Sequence, residues 1–342
     1  MGKQKTVLVL GASGGIGGEV MRQLHAAGWQ VRAMQRGLRE GAQVRDGVQW
    51  LRGDALQRAD VLEAAAGCAV LVHAVNPPGY RRWDERVLPM LDNTIAAAVA
   101  RQATIVLPGT VYNFGPSAFP LLQEDAPQQP LTRKGRIRVA LEARLQAATT
   151  QGCRALIVRA GDFFGPRAGN NWFSQGLVAP GRPVRTVTLP GQPGVPHQWG
   201  YLPDVARTMV QLLERRDRLP GFARFHMAGH LDADGLQMAQ AIQRVAVHRG
   251  LPQPRLQRLP WWLLRLAGLF ATTPRELMEM RYLWQQEVRM DNRKLVAVLG
   301  QEPHTPLDQA VEATLQGLGC LPDRPASTQP ASPLPARNGT GP

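Results

Sequence analysis

The chain has 342 residues, is 44% hydrophobic and carries a formal net charge of +14. This length suits one large domain or two coupled ones, and the composition is that of a globular protein with a sizeable core rather than a disordered chain. The charge would favour an anionic ligand or a nucleic-acid surface, but most of the excess is scattered arginine, so we expect no nucleic-acid partner.

The chain shows no sign of secretion or of a metal site. Cys68, Cys153 and Cys320 form neither a metal-binding spacing nor a disulfide framework, which is typical of a reducing cytosol. The scattered histidines have no ligand spacing either. No signal peptide opens the sequence, so we expect a cytoplasmic protein.

One apolar segment requires a separate interpretation. "WWLLRLAGLF", residues 261–270, is too short to span a bilayer and contains Arg265. We interpret it as an amphipathic helix that covers a pocket, and we expect no membrane partner.

The predicted elements alternate regularly along the first half of the chain. "TVLVL" (Thr6–Leu10) is a short, apolar, β-branched run that predicts a buried parallel strand. A helix follows and ends at Gly28. Strands and helices then alternate through "RALIVRA", residues 154–160. This order is typical of an α/β fold with a Rossmann-type, doubly wound parallel sheet.

After Gly165 the sequence becomes irregular and rich in glycine and proline, and helices resume at "LPDVARTMVQLLERR" and "LQMAQAIQRVAVHRG". We predict a Rossmann domain over residues 1–165 and a smaller, mostly helical substrate lobe over residues 166–322, interleaved with the sheet. The tail over residues 323–342 has almost no large apolar side chain and is predicted to be disordered.

Three glycines, Gly11, Gly14 and Gly17, follow the first strand and open the first helix in "VLVLGASGGIGGEV". This context is typical of a dinucleotide-binding turn. Gly11 would allow the tight turn, Gly14 would leave room for a pyrophosphate, and Gly17 would let helix and strand approach. The helix N-terminus would face the phosphates with its N–H groups and the positive end of its dipole. The remaining residues of the predicted cofactor turn are Ser13, Gly15 and Ile16.

The end of the second predicted strand indicates the cofactor. An acidic residue there would hold the ribose 2′-hydroxyl group, whereas an arginine accommodates a 2′-phosphate. The segment "VRAMQRGLRE" places Arg36 at this position, with Arg39 nearby and no acid before Glu40. NADP(H) is therefore the expected cofactor, and NAD(H) is the alternative.

Further motifs follow along the chain: "GD" at residues 53–54, "VLVHAVNPPG", "LDNTIAAAV", "GTVYNFGP", "VRAGDFFGP" and "YLPDVARTMVQLLE". Together with the glycine spacing "GASGGIG", they resemble the extended short-chain dehydrogenase/reductases, specifically the NAD-dependent epimerase/dehydratase family, over most of the chain. The resemblance implies further cofactor contacts after the third and fourth strands, from Asp54, Ala55, Ala74, Val75 and Asn76.

Catalysis in that family rests on a Tyr-x-x-x-Lys pair on one helix and on a Ser or Thr from the fifth strand. Residues four apart share a helix face, so the lysine charge lowers the pKa of the phenol and makes it a usable acid or base. The family's glutamate, two turns after the tyrosine, matches Glu142 in "TRKGRIRVALE". Lys134 then stands at the tyrosine position and Arg138 at the lysine position. Both catalytic residues are therefore replaced.

Several residues stay open as substitutes. Arg138 could hold the ribose but cannot release a proton, whereas Lys134 could act as the acid if the neighbouring cations favoured its neutral form. Tyr112 is the best remaining phenol, although we favour a packing role for it, and Thr110 is the nearest hydroxyl group of the fifth strand. The resemblance also implies that Asn93 is a structural or catalytic asparagine.

Four of the six residues 133–138 are cations, and they lie at the positive end of the predicted helix dipole. Glu124, Asp125 and Glu142 could offset part of this unfavourable charge, and an anionic ligand could offset more. Two other segments could contribute to the substrate site: "NNWFSQGLV" as a flap and "GVPHQWGYLPD" through His197. Ordinary packing is the alternative for both.

We therefore predict an NAD(P)-binding oxidoreductase or epimerase/dehydratase-like enzyme. It would act on a small substrate, preferably an anionic one, by hydride transfer with a non-standard proton donor. The alternative is a catalytically inactive regulatory protein that senses NADP(H). A nucleic-acid-binding relative is supported only by the net charge, and a homodimer is left open.

Overall fold

A computed structural model describes residues 5–39, 42–77, 82–169 and 171–322, so the predicted disordered tail lies outside the described residues. The strands are β1 (Thr6–Leu10), β2 (Gln30–Gln35), β3 (Ala42–Arg45), β4 (Val48–Arg52), β5 (Val70–His73), β6 (Thr104–Gly109), β7 (Leu121–Leu122), β8 (Arg154–Arg159), β9 (Asp162–Phe164), β10 (Thr186–Leu189), β11 (His197–Tyr201), β12 (Phe222–His226), β13 (His230–Asp232), β14 (Arg255–Arg258) and β15 (Arg289–Met290). The helices are α1 (Gly15–Ala26), α2 (Arg58–Ala64), α3 (Trp83–Arg101), α4 (Arg133–Ala148), α5 (Leu202–Glu214), α6 (Gln237–His248), α7 (Trp261–Ala267), α8 (Thr272–Glu279), α9 (Arg293–Leu299) and α10 (Leu307–Gly317).

The main sheet contains eight strands in the order β12-β8-β6-β5-β1-β2-β4-β3. Neighbouring strands in this sheet run parallel, except that β3 pairs with β4 in the antiparallel direction at one edge. From β1 the chain builds the sheet outwards in both directions, through β2 and β4 on one side and through β5, β6 and β8 on the other. The carboxyl end of β1 is therefore the topological switch point, where doubly wound sheets bind ligands. The sequence prediction of a Rossmann-type parallel sheet is confirmed.

Helices cover both faces of this sheet. On one face, α1, α5 and α9 bury apolar side chains against β1, β2 and β8, with Val20, Met209 and Leu295 among them. On the other face, α2, α3 and α4 pack over the same strands through side chains such as Leu91 and Leu141. The strand side chains alternate between the two cores, because successive residues of a strand point to opposite faces.

The second part of the chain forms a further core at the carboxyl edge of the sheet. Phe164, Phe173 and Trp199 pack there with side chains of α6 and α10. Helices do not build this part alone, since β9, β11 and β13 form a three-stranded sheet and β10 pairs with β14. In addition, β12 returns to the edge of the main sheet, beside β8. The chain therefore crosses between its two parts more than once.

Candidate functional site

The glycine turn has the geometry that a phosphate-binding loop requires. Gly11 adopts a φ of +86°, and the Gly14 N–H donates to the Gly11 carbonyl at 2.9 Å. A Cβ atom on Gly17 would lie 2.2 Å from the Gly11 carbonyl oxygen, and one on Gly11 would lie 2.4 Å from the Ala74 carbonyl oxygen. Only glycine fits both positions, and α1 begins directly behind the turn. The N-terminus of α1 therefore faces the ligand side with its backbone close to β1 and β5.

This turn opens onto a cavity of about 680 Å³ along the carboxyl edge of the sheet. The volume lies within the range usual for ligand sites, which is roughly 300–1,000 Å³. Gly17 lies behind the turn, where it allows the close approach of α1. The other predicted cofactor residues all line the cavity: Gly11, Ser13, Gly14, Gly15, Ile16, Arg36, Asp54, Ala55, Ala74, Val75, Asn76 and Arg138.

The loop after β4 is held by its own carboxylates. The Asp54 N–H donates to Asp60 Oδ2 at 2.8 Å, and the Leu56 N–H donates to Asp54 Oδ1 at 3.0 Å. On the adjacent strand, Arg36 follows the last residue of β2 and is exposed at the cavity wall. A bound dinucleotide would meet a glycine turn, a fixed acidic loop and a cation along one edge, and the residues fit such a cofactor.

Arg138 reaches the cavity from α4. Thr132 caps this helix, because its Oγ1 accepts from the Gly135 N–H at 3.0 Å. The Arg138 guanidinium lies 5.0 Å from the centre of the Trp83 ring, which also lines the cavity. Burial and the charge of Arg138 lower the pKa of His73, another lining residue, to about 3. His73 is therefore neutral near pH 7.

Lys134, one of the candidate acids, is not among the residues that line the cavity. Its side chain is only 1% exposed, and Nζ lies 2.8 Å from Glu276 Oε2 and 3.8 Å from Glu279 Oε2. Nζ also donates to the Glu276 carbonyl at 2.9 Å. The ammonium is held by α8, because a buried charge requires a close counter-charge.

Similar contacts hold a second of the four cations at the start of α4. Arg133 lies 3.2 Å from Glu276 and 3.4 Å from Asp84. For Arg133 and Lys134, the compensating carboxylates therefore come from α8 and α3. Because carboxylates of the protein already pair with these two cations, the cluster supports an anionic ligand less strongly than the sequence alone suggested.

Asn93 is also outside the cavity lining. Its Nδ2 donates to the Ala55 carbonyl at 2.9 Å and so ties α3 to the loop after β4. The structural alternative fits this placement. Tyr112 and Thr110, in contrast, both line the cavity, directly after β6. They are the two hydroxyl groups of the predicted catalytic set that can face a substrate.

A buried network fixes α4 to the end of β8. The Arg159 guanidinium is fully buried and forms an ion pair with Glu142, which also accepts from Gln128 Nε2 at 2.9 Å. Arg159 donates through Nε to the Thr110 carbonyl at 2.6 Å, and its Nη1 lies 3.0 Å from His226 Nε2. Burial and the charge of Arg159 lower the pKa of His226 to about 3. Glu142 therefore positions the helix of Arg138 and the backbone of Thr110 together.

The sequence analysis did not single out Asp162, although it lies inside the motif "VRAGDFFGP". Asp162 lines the cavity and its Oδ2 lies 2.9 Å from His197 Nε2. The His197 ring stacks on Trp284, with ring centres 3.7 Å apart and planes 8° apart. The His197 imidazole, itself stacked on Trp284, therefore fixes the position of the Asp162 carboxylate. Only the pairing of β9 with β11 brings these two residues together, so the motif alone could not reveal the contact.

Arg86 was missed as well, and it lines the cavity near Trp83 on the first turn of α3. The expected flap contributes Asn171, Trp172 and Gln175 to the lining. Among the described residues, no group of three or more His, Cys, Asp or Glu side chains could hold a metal ion.

Solved structures share this fold. Similar chains include MoeE5 in complex with UDP-glucose and NAD, with a TM-score of 0.68, 18% identity and coverage of 91% of this chain and 98% of that one. UDP-glucuronic acid 4-epimerase from Bacillus cereus, in complex with UDP-glucuronic acid and NAD, has a TM-score of 0.69 and 17% identity over 92% of this chain and 98% of its own. UDP-glucose 4-epimerase from Bifidobacterium longum, in complex with NAD+ and UDP, has a TM-score of 0.68 and 16% identity over 91% and 97% of the two chains.

A search of curated proteins found no match. The sequence itself matches the NAD dependent epimerase/dehydratase family over residues 7–227, which is more than half of the chain. This match confirms the resemblance stated from the motifs, and with it an enzyme that depends on a nicotinamide cofactor. The glycine turn, the cavity at the switch point and the family match agree, and the chain belongs to the NAD dependent epimerase/dehydratase family.

Proposed function

We propose that this protein is an NAD(P)-dependent oxidoreductase or epimerase/dehydratase-like enzyme that acts on a small anionic substrate. One observation carries the proposal: the same cavity is lined by the glycine turn and by an arginine from each of α3 and α4, Arg86 and Arg138. A bound nicotinamide cofactor would supply the hydride donor or acceptor. The chain's own residues then have to bind the substrate and move a proton.

The cofactor would be held by the glycine turn, Asp54 and Arg138. Arg138 replaces the family's lysine and keeps its positive charge, so it can serve as the ribose contact but not as a proton donor. Arg36 supports NADP(H), because an arginine after the second strand suits a 2′-phosphate. The similar solved structures contain NAD, which keeps NAD(H) as the alternative.

In this proposal Arg86 does not bind the cofactor. It would instead pair with an acidic group of the substrate. Bidentate contacts make arginine well suited to carboxylates and phosphates. The sugar nucleotides bound by MoeE5 and by the Bacillus cereus epimerase are anionic compounds of this kind. A substrate of that class is therefore the first to test.

Proton transfer would fall to a lining residue other than Lys134. Tyr112 and Thr110 supply hydroxyl groups at the end of β6, and Asp162 supplies a carboxylate backed by His197. A group of this type within hydrogen-bond reach of the substrate can act as general acid or base. Tyr112 is the first choice, because it is a phenol that lines the cavity directly after β6, and a phenol is the acid or base that the family uses.

The experiment has two stages. Thermal-shift titrations with NADP+ and NAD+ test the cofactor, and the absence of a shift with either would refute the proposal. Turnover is then measured with anionic carbonyl compounds plus NADPH and with UDP-sugars plus NAD+, for the wild type and for Tyr112→Phe, Asp162→Asn and Lys134→Met. Loss of activity in Tyr112→Phe or Asp162→Asn identifies the proton donor. Full activity in both, with loss only in a folded Lys134→Met variant, would contradict the assignment.

A regulatory protein that binds NADP(H) without turnover is the second candidate. The observation that favours it is the burial of Lys134, the residue predicted to stand at the tyrosine position, in an ion pair with Glu276 of α8. Tight cofactor binding without turnover of either substrate class would support this candidate over the enzyme.

A further inference from the structure

The segment from α7 to the start of α8 exposes an unusual amount of apolar surface. Trp262, Leu263 and Leu266 of α7 are 65%, 46% and 53% exposed, and Leu269 and Phe270 of the following turn are 75% and 91% exposed. We call these five side chains the apolar patch. A group of large apolar side chains on one short segment is a common mark of an interaction surface, whereas single exposed ones are ordinary.

The patch is surrounded in the chain by positive charge. Arg255 and Arg258 of β14 precede it, Arg265 lies within it, and Arg275 follows it, and all four are exposed. From residue 251 to residue 275 the sequence contains no aspartate or glutamate. The partner that fits this surface therefore combines an apolar interior with a negatively charged face.

The patch is fixed to the body of the protein beside the cavity. The Trp261 Nε1 donates to the Pro190 carbonyl at 2.8 Å, and the Trp261 ring lies 6.0 Å from the ring of Trp172, which lines the cavity. Gly268 allows close packing against α8, since a Cβ atom there would lie 3.3 Å from the Arg275 backbone. The segment thus packs behind Trp172 of the cavity wall without lining the cavity itself, and the apolar patch lies on its exposed side chains.

We propose, in place of the expectation from the sequence that this segment has no membrane partner, that the apolar patch inserts into the surface of a membrane that contains anionic lipids. Helices that lie in a membrane interface combine Trp, Phe and Leu on one face with basic residues that contact lipid headgroups. No helix in the described part of the chain is long and apolar enough to cross a bilayer. The contact is therefore shallow, and the headgroups meet Arg258, Arg265 and Arg275.

A second copy of this chain fits the patch less well. Dimers of identical chains usually pair the same surface of both copies about a two-fold axis. Such a contact would bring the arginines of one copy towards those of the other, and like charges across an interface repel each other. An anionic lipid surface removes this conflict.

Flotation of the full-length protein with vesicles tests the proposal. Vesicles of phosphatidylcholine alone are compared with vesicles that also contain phosphatidylglycerol, at low and at high salt. We expect binding to the anionic vesicles that weakens with salt. The variant Trp262→Ser/Phe270→Ser should bind at least about tenfold more weakly, since two large apolar side chains lose their burial in the lipid. Arg265→Glu should weaken binding to anionic vesicles specifically.

Val44→Ser is the matched control, because Val44 is 75% exposed on the distant edge strand β3 and should leave binding unchanged. Circular dichroism and the thermal shift with NADP+ check that the variants fold. Absence of binding to anionic vesicles would overturn the proposal, as would equal binding by the Trp262→Ser/Phe270→Ser variant. Light scattering adds a separate outcome: a wild-type dimer that becomes monomeric in that variant would assign the patch to a second copy instead. None of these results depends on the enzyme's substrate.

Discussion

The buried pair of Glu142 and Arg159 offers a sharp test of how this fold holds its site. The Glu142→Gln variant keeps the shape of the side chain but removes the negative charge next to a guanidinium that is fully buried. Removing one partner of a buried ion pair leaves an uncompensated charge, at a cost of about 3–5 kcal/mol. Arg159 would keep its contacts with the Thr110 carbonyl and with His226. We therefore expect the lower end, a loss of about 3 kcal/mol in the free energy of unfolding.

Urea denaturation followed by circular dichroism measures this loss. Asp308→Asn is the control, because Asp308 forms an exposed ion pair with Arg244, at 2.6 Å, in which both side chains are about half exposed. Exposed pairs contribute about 0–1 kcal/mol. The double variant Glu142→Leu/Arg159→Met should regain much of the stability that Glu142→Gln loses, since no buried charge remains. A loss below about 1 kcal/mol in Glu142→Gln, equal to that of Asp308→Asn, would refute the reasoning.

Three further predictions concern the cofactor site and the response to pH. Arg36→Ser should weaken NADP+ binding about tenfold and leave NAD+ binding nearly unchanged, as measured by calorimetry, because only NADP+ carries the 2′-phosphate; equal losses for both would contradict the role of Arg36. Gly17→Val should abolish the thermal shift with either dinucleotide, because its Cβ would lie 2.2 Å from the Gly11 carbonyl oxygen, whereas Gly221→Ala, where a Cβ meets nothing within 4 Å, should behave like the wild type. His73 has a folded pKa of about 3, below its unfolded value near 6.5, so the unfolded chain binds the extra proton first. Stability should therefore be complete above pH 6.5 and fall by about 1.4 kcal/mol per pH unit below it for this group. The slope from urea titrations between pH 7 and pH 5 should decrease in His73→Asn, and an unchanged slope would show that His73 is not the source.

Much of the main sheet could be predicted from local patterns. The sequences of β1, β6 and β8 are nearly continuous apolar runs. Such runs are typical of strands that are buried on both faces of a parallel sheet. The spacing of Gly11, Gly14 and Gly17 predicted the position of the glycine turn. A Cβ atom at each of these positions would come close to backbone atoms of the turn itself or of the adjacent strand, so the requirement for glycine is local. The cofactor end of the cavity was thus predictable from the sequence.

Strands with weak apolar patterns were not predictable. β3 is a short polar edge strand whose residues are mostly exposed, so no hydrophobic alternation marks it. β12 follows α5 after a short turn in the second half of the chain but completes the edge of the main sheet beside β8. Its place depends on which strand edge is available, and that is a property of the assembled sheet.

The sequence by itself predicted a nicotinamide dinucleotide site after β1 and the replacement of the usual tyrosine and lysine by Lys134 and Arg138. Only the tertiary structure decided that the side chains of these two cations lie in different surroundings. Arg138 faces the cavity beside Trp83, whereas Lys134 is paired with Glu276 of α8. The partners of Lys134 are more than 140 residues away in the chain. Helical spacing fixes which side chains share a face, but a buried charge is placed by the counter-charge that folding brings next to it.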